Sequence, residues 1–466
     1  MKMRTSRKRL VAVITGAIVL GTLAVPATAA GAAARRAKLP KCALSALDKA
    51  DKPVEIEFWT ATNAANSDAL DRITAQFNSS QSDVAVTIIN QTTYDDALNK
   101  YIAGLGTGDL PDVVMIEDTG LQQMIDTQSI LPAAACVKAD DYDLSSHIER
   151  VVNYYTVDGT LYPMPFNVSN PVFLYNKLAF EEAGLDPDAP PETLDEIKEA
   201  AQTIVDAGIT NSGFSLKLDP WYLEQFLAKA GEPYVNNGNG RDSRATEAEF
   251  DVKAGVEIFT WMQDMVDSDL AVTNAPDNFD NLFAIGEDNA AMTIDTSASL
   301  GSILAVLGGG QYPNVEIGVA PMPGPEGKGG VLVGGAALYI SNKSSSAEQA
   351  AAWEYLKFLN TPDVQADWAA STGYIPIVEG ATETQIIQDL WTELPFFKVA
   401  YDQLLSGAEN EATAGPVIGD YQGVRDSVLE GFESLLTQGT KPKTALKNAK
   451  ADADSKIQEY NSRVGA

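Results

Sequence analysis

Between Val54 and Ile116 three apolar or β-branched runs alternate with two stretches of helical spacing, and this alternation limits the fold more than any other feature. Val54-Glu55-Ile56-Glu57-Phe58 alternates with period two, Leu70, Ile73 and Phe77 recur at helical spacing, and residues 84–89 form a second β-branched run. A helical stretch over 94–105 and the run Val113-Val114-Met115-Ile116 complete strand, helix, strand, helix, strand. That order predicts a parallel sheet covered by helices. The pattern then starts again. Residues 172–175 are strand-like, and 178–183 read as a helix. Thr193 with Glu196 opens another helix as an approximate capping box. A further helix carries Phe259, Trp261 and Met265, and short apolar strands follow at 290–294 and 331–340. The C-terminal part is mostly helical, with Ala352, Tyr355, Leu356 and Leu359, and later Leu429, Phe432 and Leu436, at amphipathic spacing. A chain of 466 residues is too long for one ordinary core, so the expectation is an α/β protein of two lobes.

A different kind of segment precedes this framework. Lys2, Arg4, Arg7, Lys8 and Arg9 lead into an apolar stretch over 10–25, and Ala27-Thr28-Ala29 supplies an A-x-A cleavage signal. Residues 1–29 therefore read as a secretory signal peptide and 30–41 as a flexible leader. The apolar stretch falls short of the roughly 20 residues a bilayer span needs, which argues against a retained anchor. Cys42 follows Leu39-Pro40-Lys41, a poor match to the small-residue box that precedes a lipid-modified cysteine. A secreted protein is expected. In that oxidising compartment the only two cysteines, Cys42 and Cys136, are expected to form one disulfide closing a loop of about 95 residues.

The formal net charge of −31, with no basic run to override it, excludes nucleic acid and anionic lipid as partners. With His147 as the single histidine, neither a zinc set nor a Cys-His dyad has its ligands, and no metal or cofactor is expected. The glycines at 308–310 and 324–330 lack P-loop spacing, even with Lys328 after Gly327. No nucleophile elbow and no H-E-x-x-H occurs. Glu117-Asp118 ends a predicted strand, where α/β folds place ligand sites. A glycosidase could use two acids, but nothing sets a second one at a defined separation, so a secreted glycoside hydrolase is only a remote alternative. Trp59, Tyr94, Phe166, Trp221, Tyr374 and Tyr421 stand near turns and strand ends, where a ring suits stacking on a sugar, though each also fits a core. Gly334-Gly335 inside an apolar strand suggests either close approach of a ligand or of another backbone, or a bulge. Arg425 either holds an anion bidentately or forms a surface ion pair.

The order of segments resembles the extracellular solute-binding proteins of carbohydrate-type ABC importers. The resemblance runs from about Val54 to Tyr460 and rests on Ile56-Glu57-Phe58-Trp59, Gly108-Asp109-Leu110-Pro111-Asp112-Val113, Pro165-Phe166-Asn167 with Leu174-Tyr175-Asn176-Lys177, Ala290-Ala291-Met292-Thr293, and Thr372-Gly373-Tyr374-Ile375-Pro376. It implies a two-lobed periplasmic-binding-protein-like fold with a ligand cleft and three crossings, near 166–171, 293–296 and 340–342. The first lobe would comprise 42–166 and 296–340, and the second 167–295 and 341–466. Partners implied are a small-molecule ligand and ABC permease subunits, with the protein a monomer. Within the family, Met164-Pro165-Phe166-Asn167-Val168-Ser169, Val333-Gly334-Gly335-Ala336 and residues 421–425 are similar to the branch that binds sn-glycerol 3-phosphate or its diesters. By matching motif, Tyr94, Asp118, Ser169, Ser297, Gly335, Tyr374 and Arg425 would line the cleft, with Tyr374 and Arg425 on the phosphate and Asp118 and the serines on hydroxyls. Three positions depart from the branch. Its tryptophan falls in the region of Lys217-Leu218-Asp219, whereas this chain has Trp221; a histidine is replaced by Thr60; and its glutamate aligns with Asp118. Asp219 is a further candidate for hydroxyls, and a neutral sugar is the alternative ligand.

Overall fold

The computed structural model describes residues 38–62, 64–275, 279–308, 310–325 and 329–465. The signal-peptide segment, most of the leader, and Gly327 and Lys328 lie outside these residues. In chain order the strands are β1 (Val54–Thr60), β2 (Val84–Asn90), β3 (Val113–Glu117), β4 (Ile130–Leu131), β5 (Thr156–Val157), β6 (Thr160–Leu161), β7 (Met164–Ser169), β8 (Pro171–Asn176), β9 (Phe214–Lys217), β10 (Ala271–Asn274), β11 (Met292–Thr296), β12 (Ile317–Pro321) and β13 (Gly334–Ser341).

Two main sheets result. The first has the order β2-β1-β3-β13-β4, with β7 also paired to β13, and the second has the order β10-β9-β11-β8-β12. β1 pairs parallel with β2 and β3, as the alternating pattern predicts. The sheets are mixed, however, because β13 runs antiparallel to β3 and β7, and β8 runs antiparallel to β11 and β12. Each sheet has its own core. Phe58, Tyr355 and Trp353 lie in the first, and Phe214, Trp261, Phe259 and Phe432 in the second. Local signals hold the helices in register. Thr193 and Glu196 form a complete capping box, as do Ser345 and Glu348, each satisfying N–H groups that the first helical turn would otherwise leave unpaired.

The expected lobe boundaries need correction at two places. β12 falls within 296–340, yet it hydrogen-bonds to β8 of the second sheet. The helix Ser346–Leu359 falls within 341–466, yet it packs on β1 of the first, where the rings of Phe58 and Tyr355 meet edge-on at 5.7 Å. The chain passes from the first sheet to the second at Asn170, and leaves β11 after Thr296 for the helix Leu300–Leu307 in the first core. It comes back to the second sheet for β12 and passes to the first sheet again between β12 and β13. Residues 340–342 are no crossing, since β13 ends there inside the first sheet. The helices Tyr421–Gln438 and Pro442–Val464 return to the second core.

The crossings are tied together by buried amide and hydroxyl groups. Ser297 N–H donates to Asn170 O at 2.9 Å. Gln403 Nε2 donates to Pro171 O at 2.7 Å and to Asn170 Oδ1 at 3.1 Å, while its Oε1 accepts from Met322 N–H at 2.7 Å. One glutamine thus touches the crossing at Asn170 and the segment that leaves β12, and Asn170 joins its own crossing to the one after Thr296.

Candidate functional site

Where the two sheets face each other, strand ends and turns from both enclose a cavity of about 180 Å³. From the first sheet come Tyr94 (the first residue of the helix Tyr94–Thr107), Glu117 and Asp118 at the end of β3, Ser169 at the end of β7, Gly334 and Gly335 at the start of β13, and Tyr374. From the second come Lys217 at the end of β9, Asp219, Trp221, and Asp295 with Thr296 at the end of β11.

The tyrosines form a wall fixed by hydrogen bonds. Tyr94 and Tyr374 hydroxyls are 3.1 Å apart, and Asn167 Nδ2 donates to Tyr94 OH at 3.0 Å. Tyr374 lies flat against Trp368, with ring centroids 5.3 Å apart and planes at 14°. Gly335 has a φ of +91°, and a Cβ there would sit 2.0 Å from Asn167 O, so the close approach inferred from the glycine pair is that of β7. Gly334 instead leaves room, since a Cβ there would stand 3.6 Å from Ser169 Oγ and 3.9 Å from the Trp221 indole nitrogen.

The charges of the cavity are unequal. Tyr154 OH donates to Asp118 Oδ2 at 2.8 Å, and burial together with the Glu117 charge pushes the Asp118 carboxyl well above the usual carboxylate range, against the pull of Arg425. Burial likewise pushes Asp219 up to about 6, partly offset by Arg425 and by the Trp221 N–H that donates to its Oδ1 at 3.0 Å. A carboxyl raised in this way binds its proton more tightly folded than unfolded. Its contribution to stability therefore falls as pH rises from about 4 to about 6 and is level above that. Asp219→Asn keeps an acceptor oxygen without the buried charge. It is expected to stabilise the ligand-free protein at pH 7.5 by up to about 3 kcal/mol and to have little effect at pH 4, a comparison read from urea unfolding at both pH values.

Seven of the expected site residues are brought together here: Tyr94, Asp118, Ser169, Asp219, Trp221, Gly335 and Tyr374. Three are placed elsewhere. Trp59 is 2% exposed, bonds Glu57 through its indole N–H, and carries Lys100 over its ring at 3.9 Å. Ser297 is buried in the crossing described above. Arg425 is held by carboxylates rather than open to the cavity. Its Nε and Nη2 donate to Glu224 at 2.8 and 2.9 Å, and its Nη1 to Glu117 at 3.1 and 3.3 Å. Burial opposes its charge, but the two carboxylates prevail and raise its basicity further. Tyr421 stacks on Tyr234 beneath the same guanidinium, and Phe166 stacks on Trp368 in the core. The sequence offers Glu117 only as half of an acidic pair, and the other lining residues it does not point to as ligand contacts are Lys217, Tyr222, Ile294, Asp295, Thr296 and Ala298. The strand ends carrying Lys217 and Asp295 were the available signal. Cys42 and Cys136 are bonded to each other, as expected.

Two α/β lobes facing each other across a polar, ring-walled cavity define a binding protein of the hinged, two-lobed class. The chain belongs to the bacterial extracellular solute-binding protein family, whose profile matches residues 72–395. It is 29% identical over 426 residues to the sn-glycerol-3-phosphate-binding periplasmic protein UgpB of Rhizobium meliloti, covering 90% of this chain and 95% of that one. In fold it resembles UgpB from Mycobacterium tuberculosis, solved in complex with glycerophosphocholine (TM-score 0.72, 21% identity, 87% of this chain and 99% of that one). It also resembles the cyclic α-maltosyl-1,6-maltose binding protein of Arthrobacter globiformis (TM-score 0.69, 24% identity, 87% and 100%).

Proposed function

We infer that this solute-binding component of an ABC importer captures a glycerol phosphate ester in the interlobe cavity and presents it, chemically unchanged, to the membrane permease. The observation that carries the reading is the composition of the cavity. Lys217 stands among carboxyls that accept hydroxyl hydrogen bonds, Asp118 and Asp219, and beside the rings of Tyr94, Tyr374 and Trp221. That combination suits a small molecule bearing one anionic group, vicinal hydroxyls and an apolar or cationic extension. The curated relatives named for sn-glycerol 3-phosphate support it. Closure of the lobes about the segments that cross between them supplies the signal of loading. The protein works as an extracytoplasmic monomer held at the cell surface by its permease.

A neutral sugar is favoured by one observation, the engagement of Arg425 by Glu117 and Glu224, and several solved relatives are named for maltose. Thermal unfolding against glycerophosphocholine, sn-glycerol 3-phosphate and maltose separates the two. A ligand at 100 times its Kd adds about 2.7 kcal/mol, a clear rise in midpoint. A rise with a phosphate ester and none with maltose is expected; the reverse result establishes the sugar reading.

A further inference from the structure

Resting on the glycerol phosphate ester reading, we propose that Lys217, and not Arg425, is the cation that receives the ligand's anionic group, and that the cavity thereby prefers a singly charged phosphodiester to a doubly charged monoester.

Lys217 is the one cation among the described residues that line the cavity. Its side chain is 13% exposed, and its ammonium lies 3.6 Å from Asp295 Oδ2, a loose pair. Asp295 is meanwhile satisfied by others. Its Oδ2 accepts from Asn281 Nδ2 at 2.9 Å and its Oδ1 from Thr296 N–H at 2.7 Å. An ammonium carries three donors, so Lys217 has hydrogen-bonding capacity that Asp295 does not use. Arg425 is in the opposite condition. Three of its nitrogens are directed at two carboxylates, and Glu224, at 2% side-chain exposure, is bonded at both oxygens. Withdrawing that guanidinium to meet a ligand leaves Glu224 as a buried, uncompensated charge, a costly state.

The preference for a diester follows from the neighbours of Lys217. Asp219, Asp295 and Glu117 share the same walls, so a second negative charge on the ligand meets carboxylates, and no cation besides Lys217 stands among the described lining residues. A phosphodiester carries one charge, whereas a monoester carries between one and a half and two near pH 7. The glycerol hydroxyls common to both are served equally by Asp118 and Asp219.

The test is calorimetric titration of the full mature protein with glycerophosphocholine, sn-glycerol 3-phosphate and maltose, in wild type, Lys217→Gln, Lys217→Arg and Arg425→Gln. Wild type is expected to bind glycerophosphocholine more tightly than sn-glycerol 3-phosphate. Lys217→Gln should lose about 10-fold to 100-fold for the diester, the range of a charge-assisted hydrogen bond, and Lys217→Arg should recover most of it. Unchanged melting of the ligand-free Lys217→Gln protein establishes that the loss is local. If Lys217→Gln binds the diester as wild type does, the assignment of Lys217 is overturned, and the glycerol phosphate ester reading stands. If wild type binds maltose and neither ester, that reading fails and takes this one with it.

Discussion

Replacing both Cys42 and Cys136 by alanine is expected to lower the unfolding free energy by about 4 kcal/mol without altering the affinity of the molecules that remain folded. The bridge spans 94 residues, and the chain-entropy cost that it removes from folding for a loop of that length is between 4 and 5 kcal/mol, roughly. Both sulfurs are buried, with Cys42 ahead of the short turn Leu44–Lys49 and Cys136 on the helix Ala133–Asp140. That turn packs under the helix Ser346–Leu359, so the bond fastens the start of the described chain to the back of the first sheet. It touches neither the cavity nor the crossings, and for that reason binding is expected to be indifferent to it. Urea unfolding of the double alanine variant and of the reduced wild type gives the stability term, and titration gives the affinity. A loss under about 1 kcal/mol would mean that the unfolded chain retains much of the constraint by other means.

The strands easiest to read from the sequence were those whose burial is carried by their own side chains. β1 alternates in burial as its sequence alternates in polarity, and β3 is buried along nearly its whole length as an inner strand. β12 escaped because its sequence, Ile317-Gly318-Val319-Ala320-Pro321, joins a glycine and a proline. The glycine is required by a neighbour far away in the chain, since a Cβ at Gly318 would lie 2.3 Å from the ring of Tyr175. The crossing at 340–342 is implied by the family resemblance alone, whereas β12 pairs in the second sheet and β13 ends inside the first. The site divides in the same way. Asp118 and Gly335 sit where strand ends and a glycine pair announce them. Arg425 could not be read, because its partners lie 308 and 201 residues away, and a sequence does not show which of many acids a guanidinium meets. Trp59 differs, because the partner that draws it away from the cavity is local. Residues two apart on a strand share a face, and Glu57 is there to take its indole proton.

Trp368→Ala is expected to cost about 3–5 kcal/mol of stability and also to weaken ligand binding, although Trp368 does not line the cavity. The indole is fully buried on the helix Pro362–Thr372, between two rings. Phe166 of β7 stacks on it at 5.1 Å and 26°, and Tyr374 at 5.3 Å and 14°. Tyr374 in turn places its hydroxyl against that of Tyr94, which Asn167 anchors from β7. Removing the indole therefore leaves a void in the first core and takes away the surface that orients one wall of the cavity. Trp368→Phe keeps a ring in the stack and loses less volume, so it should fall between wild type and alanine in both measurements. Urea unfolding and ligand titration on the three proteins check the two effects separately. A large loss of stability with unchanged affinity would show that Tyr374 is held by its hydrogen bonds alone, and that the stack serves only the core.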